Sequence, residues 1–330
     1  MSCVVFDHLA GLWGEHVRWV DLGTIGHVGV TLFFVHTTLV LMSSLERLAQ
    51  RAPGWGVWSA RFYVRRLFRI YPLAMAVVLA AWALDLPRTA GHLSHPPVFE
   101  ALTAREWAAN FALVQNLVPG VRLALNPLWT LPVELQMYLL LPLVYLVARR
   151  GARPALLLLA ASIGLGLSVW RSDAEWLQVV RFAPCFMAGA LAWALCRRPG
   201  ERRPLGAPAA IALSAALLLA FALAWPSHDV ARRWWLLAIA VALLIPRLPE
   251  LRDGAVARAA SAIATHSYGI YLLHVPLLYL AFFGLGALPV WVRAAAFAIG
   301  LAMASALTYR FIERPGIALG VRLAARVGAA

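Results

Sequence analysis

Nine stretches of this chain are apolar over close to the length that crosses a bilayer, and no other feature constrains the fold as much. A span takes roughly 20 residues at about 1.5 Å rise each. The stretches run at about 25–45, 69–86, 131–148, 154–170, 178–196, 207–225, 231–246, 260–283 and 289–312. Hydrocarbon offers the backbone no hydrogen bonds, so each must be a helix. With 62% of its 330 residues hydrophobic and 13% charged, a soluble globule would expose apolar patches that solution does not tolerate. The expected fold is an all-α integral membrane protein forming a single domain over residues 1–330.

A formal charge of +14 would ordinarily suggest nucleic acid, but every basic residue is arginine, and the arginines cluster between spans. Arginine in short loops marks the cytoplasmic side, so nucleic acid is not an expected partner. The clusters are Arg47, Arg51, Arg61, Arg65, Arg66 and Arg69; Arg149, Arg150 and Arg153; Arg197, Arg198, Arg202 and Arg203; Arg247, Arg252 and Arg258; and Arg314, Arg322 and Arg326. All five fall on one side only if residues 105–119 do not cross. That segment is short and carries Asn110, Gln115, Asn116 and Pro119, so it is expected to be re-entrant or to lie at the surface. Met1 to Trp13 is apolar but too short to span, and no basic region precedes it as in a signal peptide. It reads as the end of a further, N-terminally incomplete span, giving about ten, with the C-terminus cytoplasmic. Cys3, Cys185 and Cys196 have neither disulfide-framework nor metal-ligand spacing, and no metal is expected.

Ionisable groups at membrane depth are costly and mark candidate sites. Glu134 lies just inside a span, in Trp129-Thr130-Leu131-Pro132-Val133-Glu134-Leu135-Gln136-Met137-Tyr138. On a helix, Glu134 and Tyr138 share a face at i,i+4; a carboxylate that only answers the helix dipole would stand in the same place. His8, His36 and His274 lie in apolar surroundings, with His27 and His266 near span ends. Each suits a structural imidazole, a general base or a proton relay. The stretch from Arg61 to Pro72 interleaves Arg61, Arg65, Arg66 and Arg69 with aromatics. Such a patch fits the headgroups of membrane lipid or a soluble phosphorylated cofactor, whose oxygens match the guanidinium fork.

These motifs, in this order, resemble the acyltransferase family 3 membrane proteins, which O-acylate cell-surface carbohydrates in bacteria. The resemblance covers nearly the whole chain. It rests on Val4-Val5-Phe6-Asp7-His8, on Gly29-Val30-Thr31-Leu32-Phe33-Phe34-Val35, and on an arginine-rich loop ending in Arg69-Ile70-Tyr71-Pro72. The Trp129 to Tyr138 stretch, Arg181 to Gly189, Ser267-Tyr268-Gly269-Ile270-Tyr271-Leu272-Leu273-His274 and Ile312-Glu313-Arg314-Pro315 complete it. Two departures stand out. His36-Thr37-Thr38 replaces the family's usual Ser-Gly, and the arginine expected eleven positions before His8 would fall upstream of Met1, within the missing part of the first span.

The resemblance implies a membrane O-acyltransferase of the bacterial cytoplasmic membrane. It would move a short acyl group, most simply acetyl, from acyl-CoA to a hydroxyl of a cell-surface or lipid-linked glycan. The donor is implied by the resemblance. His8 is then the candidate base and Glu134 orients an imidazole or acts in proton transfer. Trp129, Tyr138, Tyr271 and His274 are candidate substrate-binding residues, and Arg61, Arg65, Arg66 and Arg69 would hold the CoA phosphates. The rival is a secondary transporter or glycan flippase, but the chain shows no inverted repeat of the kind those folds carry.

Overall fold

The computed structural model describes residues 2–10, 12, 16–17, 20–21, 23–52, 54–86, 101–172, 174–197, 204–223, 230–249 and 253–328. Met1 and Trp13 of the expected first span, and Arg198, Arg202, Arg203 and Arg252 of the expected cytoplasmic loops, lie outside these residues. The described residues are almost entirely helical. The helices are α1 (Ser2–Ala10), α2 (Gly23–Arg51), α3 (Trp55–Ala83), α4 (Ala104–Ala112), α5 (Thr130–Ala148) and α6 (Ala152–Ser168). They continue as α7 (Gln178–Cys196), α8 (Ala207–Leu223), α9 (Val230–Leu244), α10 (Ala255–Tyr279), α11 (Val290–Thr308) and α12 (Arg314–Arg326). A two-residue antiparallel pairing joins His16–Val17 to Val20–Asp21. Every apolar stretch read from the sequence carries a helix.

Among the described residues, six helices are long and apolar enough to cross a membrane: Ile25–Arg51, Trp55–Ala83, Asn126–Ala148, Glu175–Cys196, Ala255–Gly284 and Val290–Arg326. The apolar helices Ala152–Ser168 and Ala207–Phe221 are shorter. The outward side chains are those a lipid environment takes: Leu157 and Ile211 are 70% exposed, and Val256 and Trp291 72%. The chain is a multi-pass helical membrane protein.

One boundary differs from the sequence reading. α3 begins at Trp55, not near residue 69, so Arg61, Arg65, Arg66 and Arg69 stand on a helix and not in a loop. Arginine is a good helix former, and a helix of 29 residues is about 43 Å long. That exceeds a hydrocarbon thickness of about 30 Å, so the arginine half can leave the apolar layer without breaking the helix. Gly54, at φ 77°, makes the tight reversal from α2 that a side chain would strain.

Lipid tails are as apolar as leucine, so helix association here depends on close packing, and small residues let backbones approach. α7 lies in the middle, against α2, α5, α6 and α9, and is buried continuously from Pro184 to Ala194. A Cβ on its Gly189 would lie 2.4 Å from the Val35 carbonyl oxygen of α2. At the other end of the chain, α12 lies along α3, where a Cβ on Gly320 would lie 2.6 Å from Phe68 Cβ.

Residues 104–125 form no crossing helix. α4 has nine residues, about 14 Å, under half the hydrocarbon thickness. It starts on a capping box between Thr103 and Glu106 and stops at Leu113 in the left-handed conformation. Irregular backbone away from water needs partners within the protein, and the segment's polar side chains supply them. The Asn110 amide donates to the Glu106 and Arg122 carbonyls at 2.9 Å each and its oxygen accepts from Ala124 N–H at 2.9 Å. Gln115 Nε2 donates to the Leu128 carbonyl at 2.9 Å, and Gln136 Nε2 donates to Asn116 Oδ1 at 3.0 Å. Arg122 Nε donates to Glu106 Oε1 at 2.6 Å, and that guanidinium holds the Glu106 carboxyl well below the usual carboxylate range.

Candidate functional site

The segment ends in a 3-10 turn, Asn126–Trp129, that feeds directly into α5. Pro127 and Pro132 fall in first-turn positions, where a missing N–H costs nothing. The helical spacing then sets Glu134 and Tyr138, 4% and 6% exposed, one above the other, and the Tyr138 hydroxyl donates to Glu134 Oε2 at 2.7 Å. The start of α5 is tied to α10 by the Thr130 hydroxyl, which donates to the Tyr271 oxygen at 3.0 Å.

Glu134 and Tyr138 line a cavity of about 550 Å³ bounded by α1, α2, α3, α5 and α10. Its wall includes Arg66 and Arg69 of α3, Tyr268 and Tyr271 of α10, and Cys3 and His36 from α1 and α2. Both arginines are close enough to Glu134 to interact with it electrostatically. Arg69 is ion-paired to Glu313 and lies over the Tyr268 ring, with 5.4 Å from guanidinium carbon to ring centroid. Arg66 Nε has no hydrogen-bond partner among the described residues.

A second cluster stands beyond Tyr271. His274 is fully buried, and its Nδ1 lies 2.6 Å from the Tyr271 carbonyl oxygen. A carbonyl only accepts, so Nδ1 carries a proton, and in the neutral ring Nε2 then keeps its lone pair. Nε2 has no hydrogen-bond partner among the described residues. The His8 ring stands 5.1 Å from the His274 ring. This contact is possible because α1 lies close on α2, where a Cβ on Gly29 would come within 2.9 Å of Val4 Cγ2.

The candidates from the sequence thus divide. Arg66, Arg69, Glu134, Tyr138 and Tyr271 are brought to one cavity; His8 and His274 face each other and do not line it. Trp129 is half-buried beside Phe182, with ring centroids 5.5 Å apart. Arg61 Nε donates to the Val327 carbonyl at 3.1 Å, and Arg65 is half-buried outside the cavity lining. The sequence reading gave no role to Tyr268 or Glu313. Their signal was present: Glu313 is one of the few carboxylates at a span end, and Tyr268 precedes Tyr271 by one helical turn. Among the described residues, no three His, Cys, Asp or Glu side chains meet as a metal site.

A carboxylate hydrogen-bonded to a phenol, beside two guanidiniums in a largely apolar cavity, can accept a proton and bind an anion in the same space. Comparison with known proteins adds the family. Residues 1–309 match the acyltransferase family 3 model, described as an acyltransferase domain. The chain is 26% identical over 327 residues to Nodulation protein 10 of Rhizobium leguminosarum bv. viciae, an alignment covering 90% of this chain and 84% of that protein. No solved structure matches.

Proposed function

The chain belongs to the acyltransferase family 3 proteins, and from that premise we propose that it moves a short acyl group, most simply acetyl, from acyl-CoA to a hydroxyl of a cell-surface or lipid-linked glycan. It is a membrane acyltransferase of groups other than aminoacyl groups; the donor, the acyl group and the acceptor are the proposal. The observation that carries it is the Glu134–Tyr138 hydrogen bond inside a cavity whose wall holds Arg66 and Arg69. We further propose about ten spans in the bacterial inner membrane with the C-terminus cytoplasmic, the arrangement that puts the arginine half of α3 on the side where acyl-CoA is found.

A thioester is already activated, so the chain must orient a hydroxyl, take its proton and stabilise the oxyanion. In this reading the acceptor oxygen attacks the thioester carbon as its proton passes to Glu134. The C–S bond then breaks, and the departing thiolate takes that proton back, restoring the carboxylate. Tyr138 holds Glu134 in place. Arg66 and Arg69 fit phosphate oxygens as bidentate donors, and Tyr271 and Trp129 are proposed to stand against the acceptor.

The His8–His274 pair favours a second reading of the base, with His8 accepting the proton beside a neighbour whose tautomer is fixed. Replacement separates the two. If Glu134 is the base, Glu134→Gln abolishes transfer and His8→Ala spares it; if His8 is, His8→Ala abolishes it. The function as a whole is tested with acetyl-CoA labelled in the acetyl group and membranes containing the protein. Label appearing in glycan supports it, whereas a transporter or flippase leaves all label on the donor.

A further inference from the structure

Glu313 is a buried carboxylate for which the acyl transfer just described has no use. It is 1% exposed and ends a π turn, Tyr309–Glu313, inserted between α11 and α12. Such a turn carries one more residue than an α-helical turn and is frequent at functional sites. Here Phe311 faces outward, 65% exposed, while Glu313 faces in. Its Oε2 is paired with Arg69, and its Oε1 has no hydrogen-bond partner among the described residues. The approach is tight because α10 carries glycine at 269: a Cβ there would lie 3.3 Å from Glu313 Oε1 and 3.1 Å from Thr308 Oγ1. One residue earlier, Tyr268 carries Arg69 over its ring and donates its hydroxyl to the Ile70 carbonyl at 2.8 Å. α10 and the π turn therefore converge on one α3 guanidinium that also lines the cavity. A carboxylate so buried is costly unless paired, and arginine has five donors in a fixed fork, more than one carboxylate takes.

We propose that Glu313 is the positioning residue for Arg69. It fixes the guanidinium at the cavity wall, leaving the remaining donors for a phosphate oxygen of the donor substrate, and Gly269 provides the close approach that makes the pair possible. This deepens the reading of the cavity as an acyl-CoA site and rests on it.

The test uses the full chain in lipid nanodiscs, titrated with adenosine 3′,5′-bisphosphate, which carries phosphates of coenzyme A without its thiol, and assayed with acetyl-CoA. Glu313→Gln should weaken bisphosphate binding and raise the acetyl-CoA KM about tenfold, the scale of one charge-assisted hydrogen bond, with kcat within about twofold. Gly269→Ala should give the same split. In an Arg69→Ala background Glu313→Gln should add nothing, because coupled residues are not additive. Unchanged or tighter bisphosphate binding by Glu313→Gln, or effects that add to those of Arg69→Ala, overturns the proposal. If Glu313→Gln does not fold, Gly269→Ala decides by the same criteria. A wild-type chain that binds no bisphosphate overturns the donor reading, and the inference falls with it; variants indistinguishable from a wild type that does bind overturn this inference alone.

Discussion

At the scale of single residues, the cavity sorts side chains that the sequence presents as equivalent. Arg61, Arg65, Arg66 and Arg69 read as one patch, yet Arg66 and Arg69, three positions apart on α3, share the cavity wall while Arg61 reaches Val327. Replacing Arg66 and Arg69 by alanine is expected to raise the acyl-CoA KM more than it lowers kcat, since contacts to the donor's phosphates hold donor and transition state alike. Initial-rate kinetics over a range of acetyl-CoA checks this. Unchanged donor dependence, with activity now altered by the anionic-lipid content of the membrane, would return the patch to lipid headgroups. The Glu134–Tyr138 pair was legible in the sequence because i,i+4 spacing fixes it locally. The Arg69–Glu313 pair was not, because it joins residues 244 apart through a glycine contact and a π turn that no local pattern announces.

At the scale of elements, the non-crossing segment has a definite job: its polar side chains hold the turn from which α5 starts. Glu106 is central, accepting from Thr103 N–H at 2.8 Å as well as from Arg122. Because its carboxyl titrates well below the usual range in the folded chain, its contribution to stability is fully present above the ordinary carboxylate pKa of about 4.3. It is lost as pH falls below that value towards the folded one. Thermal unfolding in detergent should therefore show Glu106→Gln less stable than wild type at pH 7, with the difference shrinking below about pH 4. A difference that persists unchanged into acid would show that the charge does not hold the segment. That residues 105–119 do not form a crossing helix was readable from arginine sidedness; the network of Asn110, Gln115 and Asn116 was not, since its partners are mostly backbone groups of irregular chain.

Across the whole molecule, every apolar stretch carries a helix, but the short polar helices α4 and α12 carry no such signal, and the start of α3 was misplaced because arginines continue the helix ahead of its apolar stretch. The proposed topology predicts that reporter fusions after Arg153 and after Arg203 both report cytoplasm; either one reporting the outside removes the ten-span arrangement and the cytoplasmic side assigned to the donor. In the proposed reaction this cavity performs acyl transfer with Glu134 at the reacting atoms. The decisive measurement is release of free thiol from acetyl-CoA by folded, membrane-inserted wild type and Glu134→Gln in the presence of acceptor glycan. The wild type should release thiol and Glu134→Gln should lose about 10²-fold or more, the range for a removed acid–base group. Normal turnover by a well-folded Glu134→Gln would contradict it.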